Sequence, residues 1–369
     1  MEFIDLKAQS LLIEDRLMDR FKAVLNHGAY IMGPEVSELE TALANFVDVP
    51  YAIGVSSGTD ALLIALMALD VGPGDEIITT PFSFFATAEV IALLGATPVF
   101  VDIDRDTYNM DAQLIEAAIT DKTKAIMPVS LYGQCADYDA INAIAARHHL
   151  PVIEDGAQSF GATYNGKYSC GLTTIGCTSF FPSKPLGGYG DGGACFTHDA
   201  ALAERMKSIR IHGQAERYQH TSFGINGRLD TIQAAILLEK LTLFSNEMKL
   251  RQQVAARYAA GLSDFVRTPR IKANHTSVFA QYTIEVSNRA EVQRALQERG
   301  IPTAVHYPVP LHKQPVFQAF FSEKLSFPHA EDAAVRVLSL PMHPYLTEAD
   351  QNQVMSALQE VLQQEALAV

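Results

Sequence analysis

Between residues 51 and 178, short apolar runs alternate with helix-forming stretches, and this alternation limits the fold more than any other feature of the chain. Tyr51-Ala-Ile-Gly-Val, Ile77-Ile-Thr-Thr, Pro98-Val-Phe-Val, Ala125-Ile-Met-Pro-Val, Pro151-Val-Ile and Ile175-Gly-Cys-Thr are too short for helices and rich in strand-favouring side chains. Stretches of helical composition lie between them at 61–69, 86–94, 111–119 and 136–148. Strands apolar on both faces need helices over both faces, so the pattern predicts a mainly parallel sheet with helices on either side. Ligand-binding residues in such sheets gather at the carboxyl ends of the strands. With 369 residues and 48% apolar content, the chain can bury that core and build a second domain.

One lysine stands out. Ser179-Phe-Phe-Pro-Ser-Lys184-Pro-Leu-Gly-Gly-Tyr-Gly-Asp191-Gly-Gly193 places it among apolar, small and turn-forming residues. Desolvation there disfavours the ammonium and leaves a neutral, nucleophilic amine, the form that Schiff-base chemistry requires. A surface lysine on a glycine-rich turn is the competing reading, and the loop alone does not decide. Upstream, Leu150-Pro-Val-Ile-Glu-Asp155 reads as a buried strand ending in a carboxylate, 29 residues before Lys184. A lysine for an aldehyde and a carboxylate for a pyridinium nitrogen are what pyridoxal phosphate needs. Gly58-Thr59-Asp60, between a strand and a helix, offers free N–H groups and the positive end of a helix dipole to a phosphate, although Thr59 or Asp60 could equally cap the helix.

Other features exclude classes. The formal charge of −14 opposes nucleic-acid binding, which needs clustered Lys and Arg. Cys135, Cys170, Cys177 and Cys195 form no C-x-x-C pair, the histidines form no H-E-x-x-H motif, and no metal site is expected. Glu2 and Asp5 stand where a secretory signal would be basic, and no run reaches membrane-spanning length, so a soluble cytoplasmic protein is expected.

Together the lysine loop, Glu154-Asp155-Gly-Ala-Gln158-Ser159 and Gly58-Thr-Asp-Ala-Leu62 resemble the DegT/DnrJ/EryC1/StrS sugar aminotransferases, over nearly the whole chain. The resemblance implies an α/β, aspartate-aminotransferase-like (fold type I) architecture: a mainly parallel seven-stranded sheet in a large domain, 1–245, and a smaller α+β domain, 246–369. It implies Lys184 as the Schiff-base lysine, Asp155 on the ring nitrogen, Gln158 near the phenolic oxygen, and Phe84 against the ring. Gly58, Thr59, Asp60 and Ser179 would hold the phosphate, and Asn226 would complete the phosphate site of the neighbouring subunit in a homodimer. Arg228, His306 and Tyr307 would contact the substrate.

The likeness is greatest to the subgroup that aminates UDP-2-acetamido-2-deoxy-3-keto-glucuronic acid, carried by Ser130-Leu-Tyr-Gly-Gln-Cys-Ala136, Phe180-Phe-Pro-Ser-Lys-Pro-Leu186 and Thr303-Ala-Val-His-Tyr-Pro308. The expected reaction moves nitrogen from L-glutamate, leaving 2-oxoglutarate, to C3 of that sugar, for lipopolysaccharide or O-antigen synthesis. A neutral 3-keto or 4-keto deoxysugar is the alternative substrate. A dehydratase, which carries histidine at the lysine position, and a non-catalytic cofactor-binding regulator are the alternatives from other classes. Gly156 and Gly188 stand where relatives have larger residues, which suggests a wider or more mobile pocket.

Overall fold

Seven strands form the sheet at the centre of the molecule, in the computed structural model that describes residues 1–321 and 324–368. Their order in space is Thr97–Phe100, Glu76–Thr79, Thr123–Ile126, Ile153–Asp155, Ile175–Ser179, Gly193–Thr197 and Tyr51–Val55. The first three and last four are joined by the parallel bridges Ile126↔Val152 and Val129↔Asp155. Gly193–Thr197 alone runs against the rest. Its residues are all buried, as the interior of a doubly covered sheet requires.

Helix Gly58–Ala68 packs its apolar face (Ala61, Leu62, Ile64, Ala65) on the sheet, with Cys177 and Cys195 beneath it in register. All four cysteines are free and buried. Helix Pro34–Val47 covers the opposite face through Val36, Leu39 and Leu43.

The 32-residue helix Thr231–Leu262 spans two cores. Ala234, Leu237 and Phe244 pack with the large sheet, while Val254, Tyr258 and Leu262 pack with Tyr282, Ile284, Leu338 and Leu340. Helices Arg289–Glu298 and Glu348–Ala368 close the second core.

Two expectations are corrected. The stretch 111–119 forms two short 3-10 turns, Ala112–Leu114 and Glu116–Ala118, because the Asp111 carboxylate accepts from the Gln113 N–H at 3.0 Å and tightens the start. Residues 300–305 contribute a single bridge, Ala304↔Ser339, and the antiparallel partner of Tyr282–Glu285 is Val337–Leu340. Pro302 has no N–H to give a continuous ladder.

Candidate active site

At the carboxyl ends of the central strands lies a cavity of about 470 Å³. Nine of the twelve residues singled out in the sequence line it: Gly58, Thr59, Phe84, Asp155, Gln158, Ser179, Lys184, His306 and Tyr307. Lys184 follows strand Ile175–Ser179 in a turn closed by its N–H to Phe181 O at 2.8 Å. Burial pushes its pKa below the ordinary lysine value, and the Asp155 carboxylate opposes that shift.

Asp155 ends strand Ile153–Asp155 and is 5% exposed. Its Oδ2 accepts from Thr87 Oγ1 at 2.8 Å and its Oδ1 from the Ala157 N–H at 3.2 Å. Burial raises its pKa, while those two bonds and Lys184 pull it down. Thr87 is itself held by Ser83 Oγ at 2.9 Å. Neighbouring Glu154 points away from the cavity to Ser169 Oγ (2.6 Å), Cys170 N–H (2.8 Å) and Ser130 Oγ (3.1 Å), and burial lifts its pKa to about 7. This alternation is the two-residue period of the strand turning one carboxylate to the site and the other to the core.

The cavity also takes in the start of helix Gly58–Ala68. Ser57 caps it, accepting from the Asp60 N–H at 3.0 Å, and the Asp60 carboxylate takes the Ser56 hydroxyl. Asp60 therefore faces its own turn and does not line the cavity. A Cβ on Gly58 would come within 2.6 Å of Ser179 Cβ, so glycine keeps the helix N-terminus open beside that serine. Free N–H groups, a dipole and a hydroxyl, in one cavity with a lysine and a braced carboxylate, fit pyridoxal phosphate.

Gln158 spends both ends of its carboxamide inside the protein: Oε1 on the Tyr132 N–H at 2.9 Å and Nε2 on Tyr307 OH at 3.0 Å. Phe84 is 56% exposed and lies 6.2 Å from the Tyr307 ring, whereas Phe85 turns away to pack on Phe317. His306 Nδ1 meets Ser339 Oγ at 3.0 Å, and burial lowers its pKa to about 4, so it is neutral near pH 7.

Asn226 and Arg228 do not line this cavity. Asn226 is exposed, and Arg228 Nε donates to its Oδ1 at 2.8 Å. Gly156 and Gly188 do not widen the pocket: a Cβ on the first would meet Cys170 Sγ at 2.6 Å and on the second Gln233 Oε1 at 2.9 Å. Neighbouring side chains already fill both spaces. Ser57, Thr87 and Gln281 were not singled out from the sequence; for Ser57, a serine three residues before Asp60 was a visible capping signal.

A lysine of lowered pKa and a braced carboxylate, at the strand ends of a seven-stranded sheet and facing an open helix N-terminus, define a fold type I pyridoxal-phosphate enzyme. The chain belongs to the DegT/DnrJ/EryC1/StrS aminotransferase family, whose profile matches residues 12–359. It is 58% identical to the UDP-2-acetamido-2-deoxy-3-oxo-D-glucuronate aminotransferase of Pseudomonas aeruginosa, over 97% of this chain and 99% of that protein. It is 47% identical to a protein named pleiotropic regulatory protein from Geobacillus stearothermophilus, over 97% of each. The crystal structure of a DegT DnrJ EryC1 StrS aminotransferase from Brucella abortus superposes with a TM-score of 0.95 at 45% identity, covering 98% of this chain and 99% of that one.

Proposed function

We propose that this protein transfers the amino group of L-glutamate to C3 of UDP-linked 2-acetamido-2-deoxy-3-keto-glucuronic acid, as a homodimer in the cytoplasm, supplying an amino sugar for lipopolysaccharide O-antigen. The observation that carries the reaction class is Lys184 facing Asp155 in one cavity. The 58% identity to the Pseudomonas enzyme supports the sugar.

Pyridoxal phosphate, when bound, supplies an aldehyde that joins the amine and a ring that accepts the electron pair released at carbon. Lys184 Nζ, whose pKa burial lowers, would move the proton between the α-carbon of glutamate and the aldehyde carbon of the cofactor. In the second stage it performs the same transfer in reverse at C3 of the sugar. Asp155, oriented by Thr87 and the Ala157 N–H, holds a proton on the ring nitrogen. Ser179, Thr59 and the Gly58 end of the helix bind the phosphate, and Phe84 orients the ring plane. Gln158 fixes Tyr307, and through it the wall on the substrate side.

Among the described residues the cavity lining offers the uronate no arginine, only Lys184, which is reserved for chemistry, and His306, whose pKa burial lowers to about 4. Arg228 of a second copy supplies one in this reading, and Asn226 reaches that copy's phosphate. Exposed aromatics beside them, Tyr218 at 80% and Phe223 at 95%, support burial of this surface by a partner. Were no second copy to bring an arginine in, a neutral keto sugar would be the better substrate.

The deciding experiment follows the visible absorbance of the holoenzyme during titration with UDP-2-acetamido-3-amino-2,3-dideoxy-glucuronic acid. Loss of the aldehyde-form band, restored by 2-oxoglutarate, is the expected result. A band that responds to glutamate and ignores this sugar removes the uronate; no band after adding pyridoxal phosphate removes the role of Lys184.

A further inference from the structure

Tyr132 does not line the active-site cavity, yet it holds residues on two sides of it. Its backbone N–H gives to Gln158 Oε1 at 2.9 Å, and its hydroxyl gives to the carbonyl of His306. Gln158 Nε2 meets Tyr307 OH at 3.0 Å. Tyr132, Gln158, Tyr307 and His306 therefore close a ring, and the last three all line the cavity. An N–H can only give and a carbonyl can only accept, so the ring has one consistent direction: Gln158 turns Oε1 to Tyr132 and Nε2 to Tyr307.

The two sides of this ring belong to different parts of the molecule. Tyr132 comes shortly after Val129, which bridges to Asp155 at the end of the large sheet. His306 comes after Ala304, which bridges to Ser339 in the second core's strand Val337–Leu340. The His306 ring is held from that second side, through Ser339 Oγ, which itself meets Thr283 Oγ1 at 3.0 Å. Its carbonyl is held from the first side by Tyr132. The backbone of Tyr132 has φ +56°, in the left-handed region that bulky side chains enter only where their surroundings hold them, often at functional sites. We propose that Tyr132 is a positioning residue that latches the His306–Tyr307 segment to the sheet carrying Asp155, its hydroxyl serving the substrate side and its N–H serving Gln158. The assignment of that segment to the sugar is the reading given above, on which this inference rests.

Tyr132→Phe separates the two duties, because it deletes the hydroxyl and keeps the N–H. The test follows the cofactor band of the holoenzyme by rapid mixing, once with glutamate and once with UDP-2-acetamido-3-amino-2,3-dideoxy-glucuronic acid. The expected result is a half-saturating sugar concentration about tenfold above wild type, the scale of one hydrogen bond, with the band itself and the maximal rate with glutamate within about twofold. An unchanged half-saturation for the sugar overturns the proposal, even if Tm falls, since the hydroxyl would then serve stability alone. A shifted band or an equal loss of rate with glutamate also overturns it, by placing Tyr132 in service of the cofactor. If wild type responds to glutamate and not to this sugar, the uronate reading itself has failed, and this inference falls with it.

Discussion

In the proposed reaction Lys184 and Thr87 do different work, and substitution separates them. Lys184→Ala removes the group that carries the proton and should abolish turnover while the cofactor still binds; residual activity near wild type would refute the assignment. Thr87→Val conserves volume and deletes one hydrogen bond to a buried carboxylate. Bonds to charged groups contribute about 1.5–3 kcal/mol, so the rate of either half-reaction should fall about 10- to 100-fold with the fold intact. Arg228→Ala should lower kcat/KM for the uronate about 30-fold more than for a 6-hydroxymethyl analogue, since a carboxylate loses its bidentate partner and a hydroxyl does not. Equal losses would argue against a carboxylate role. Lys184 and Asp155 were legible because the chemistry demands those residue types at strand ends. Thr87 was not, since a threonine in the apolar helix Ala86–Leu93 gives no local sign that it meets a residue 68 positions away.

The helix Thr231–Leu262 carries a buried polar stripe of Lys240, Glu247 and Arg251 on the face that adjoins the lysine loop. Gln9 Nε2 donates to Glu247 Oε1 at 2.7 Å, and Tyr345 OH bonds the same oxygen, so this carboxylate ties the N-terminal helix and the C-terminal region to one element. Glu247→Leu removes the acceptor of Gln9 and Tyr345 and a charge that favours two buried cations, and should cost about 1–3 kcal/mol, read as a loss in Tm. Burial lowers the Lys240 pKa to about 8. Below pH 8 both folded and unfolded chains hold the proton, and the folded state bears the full desolvation cost. As pH rises from 8 toward the unfolded value of about 10.4, that cost disappears. Lys240→Met should therefore raise Tm at pH 7, with the gain shrinking by pH 10; a gain independent of pH would place the effect in packing.

At the scale of the whole molecule, Asn226 and Arg228 pair with each other outside the cavity of their own chain. In the proposed dimer each active site draws on both copies, which predicts complementation. A mixture of inactive Lys184→Ala and uronate-impaired Arg228→Ala proteins, dissociated and reassociated, should yield hybrids with one intact site. Random pairing makes half the dimers hybrid, so activity on the uronate should recover to about a quarter of wild type. No recovery after verified subunit exchange would place both residues in service of their own chain.

The sequence by itself determined six of the seven strands and most of the covering helices, the lysine and its carboxylate, the glycine at the start of the helix beside them, and the family. These follow from short-range patterns and from residue types that one cofactor requires. Only the tertiary structure decided that Asp60 turns to Ser56, that Gly156 and Gly188 are filled by Cys170 and Gln233, and that Val337–Leu340 pairs with Tyr282–Glu285. Each of these depends on which hydrogen-bonding groups and volumes meet once distant segments pack, and that meeting has no periodicity along the chain.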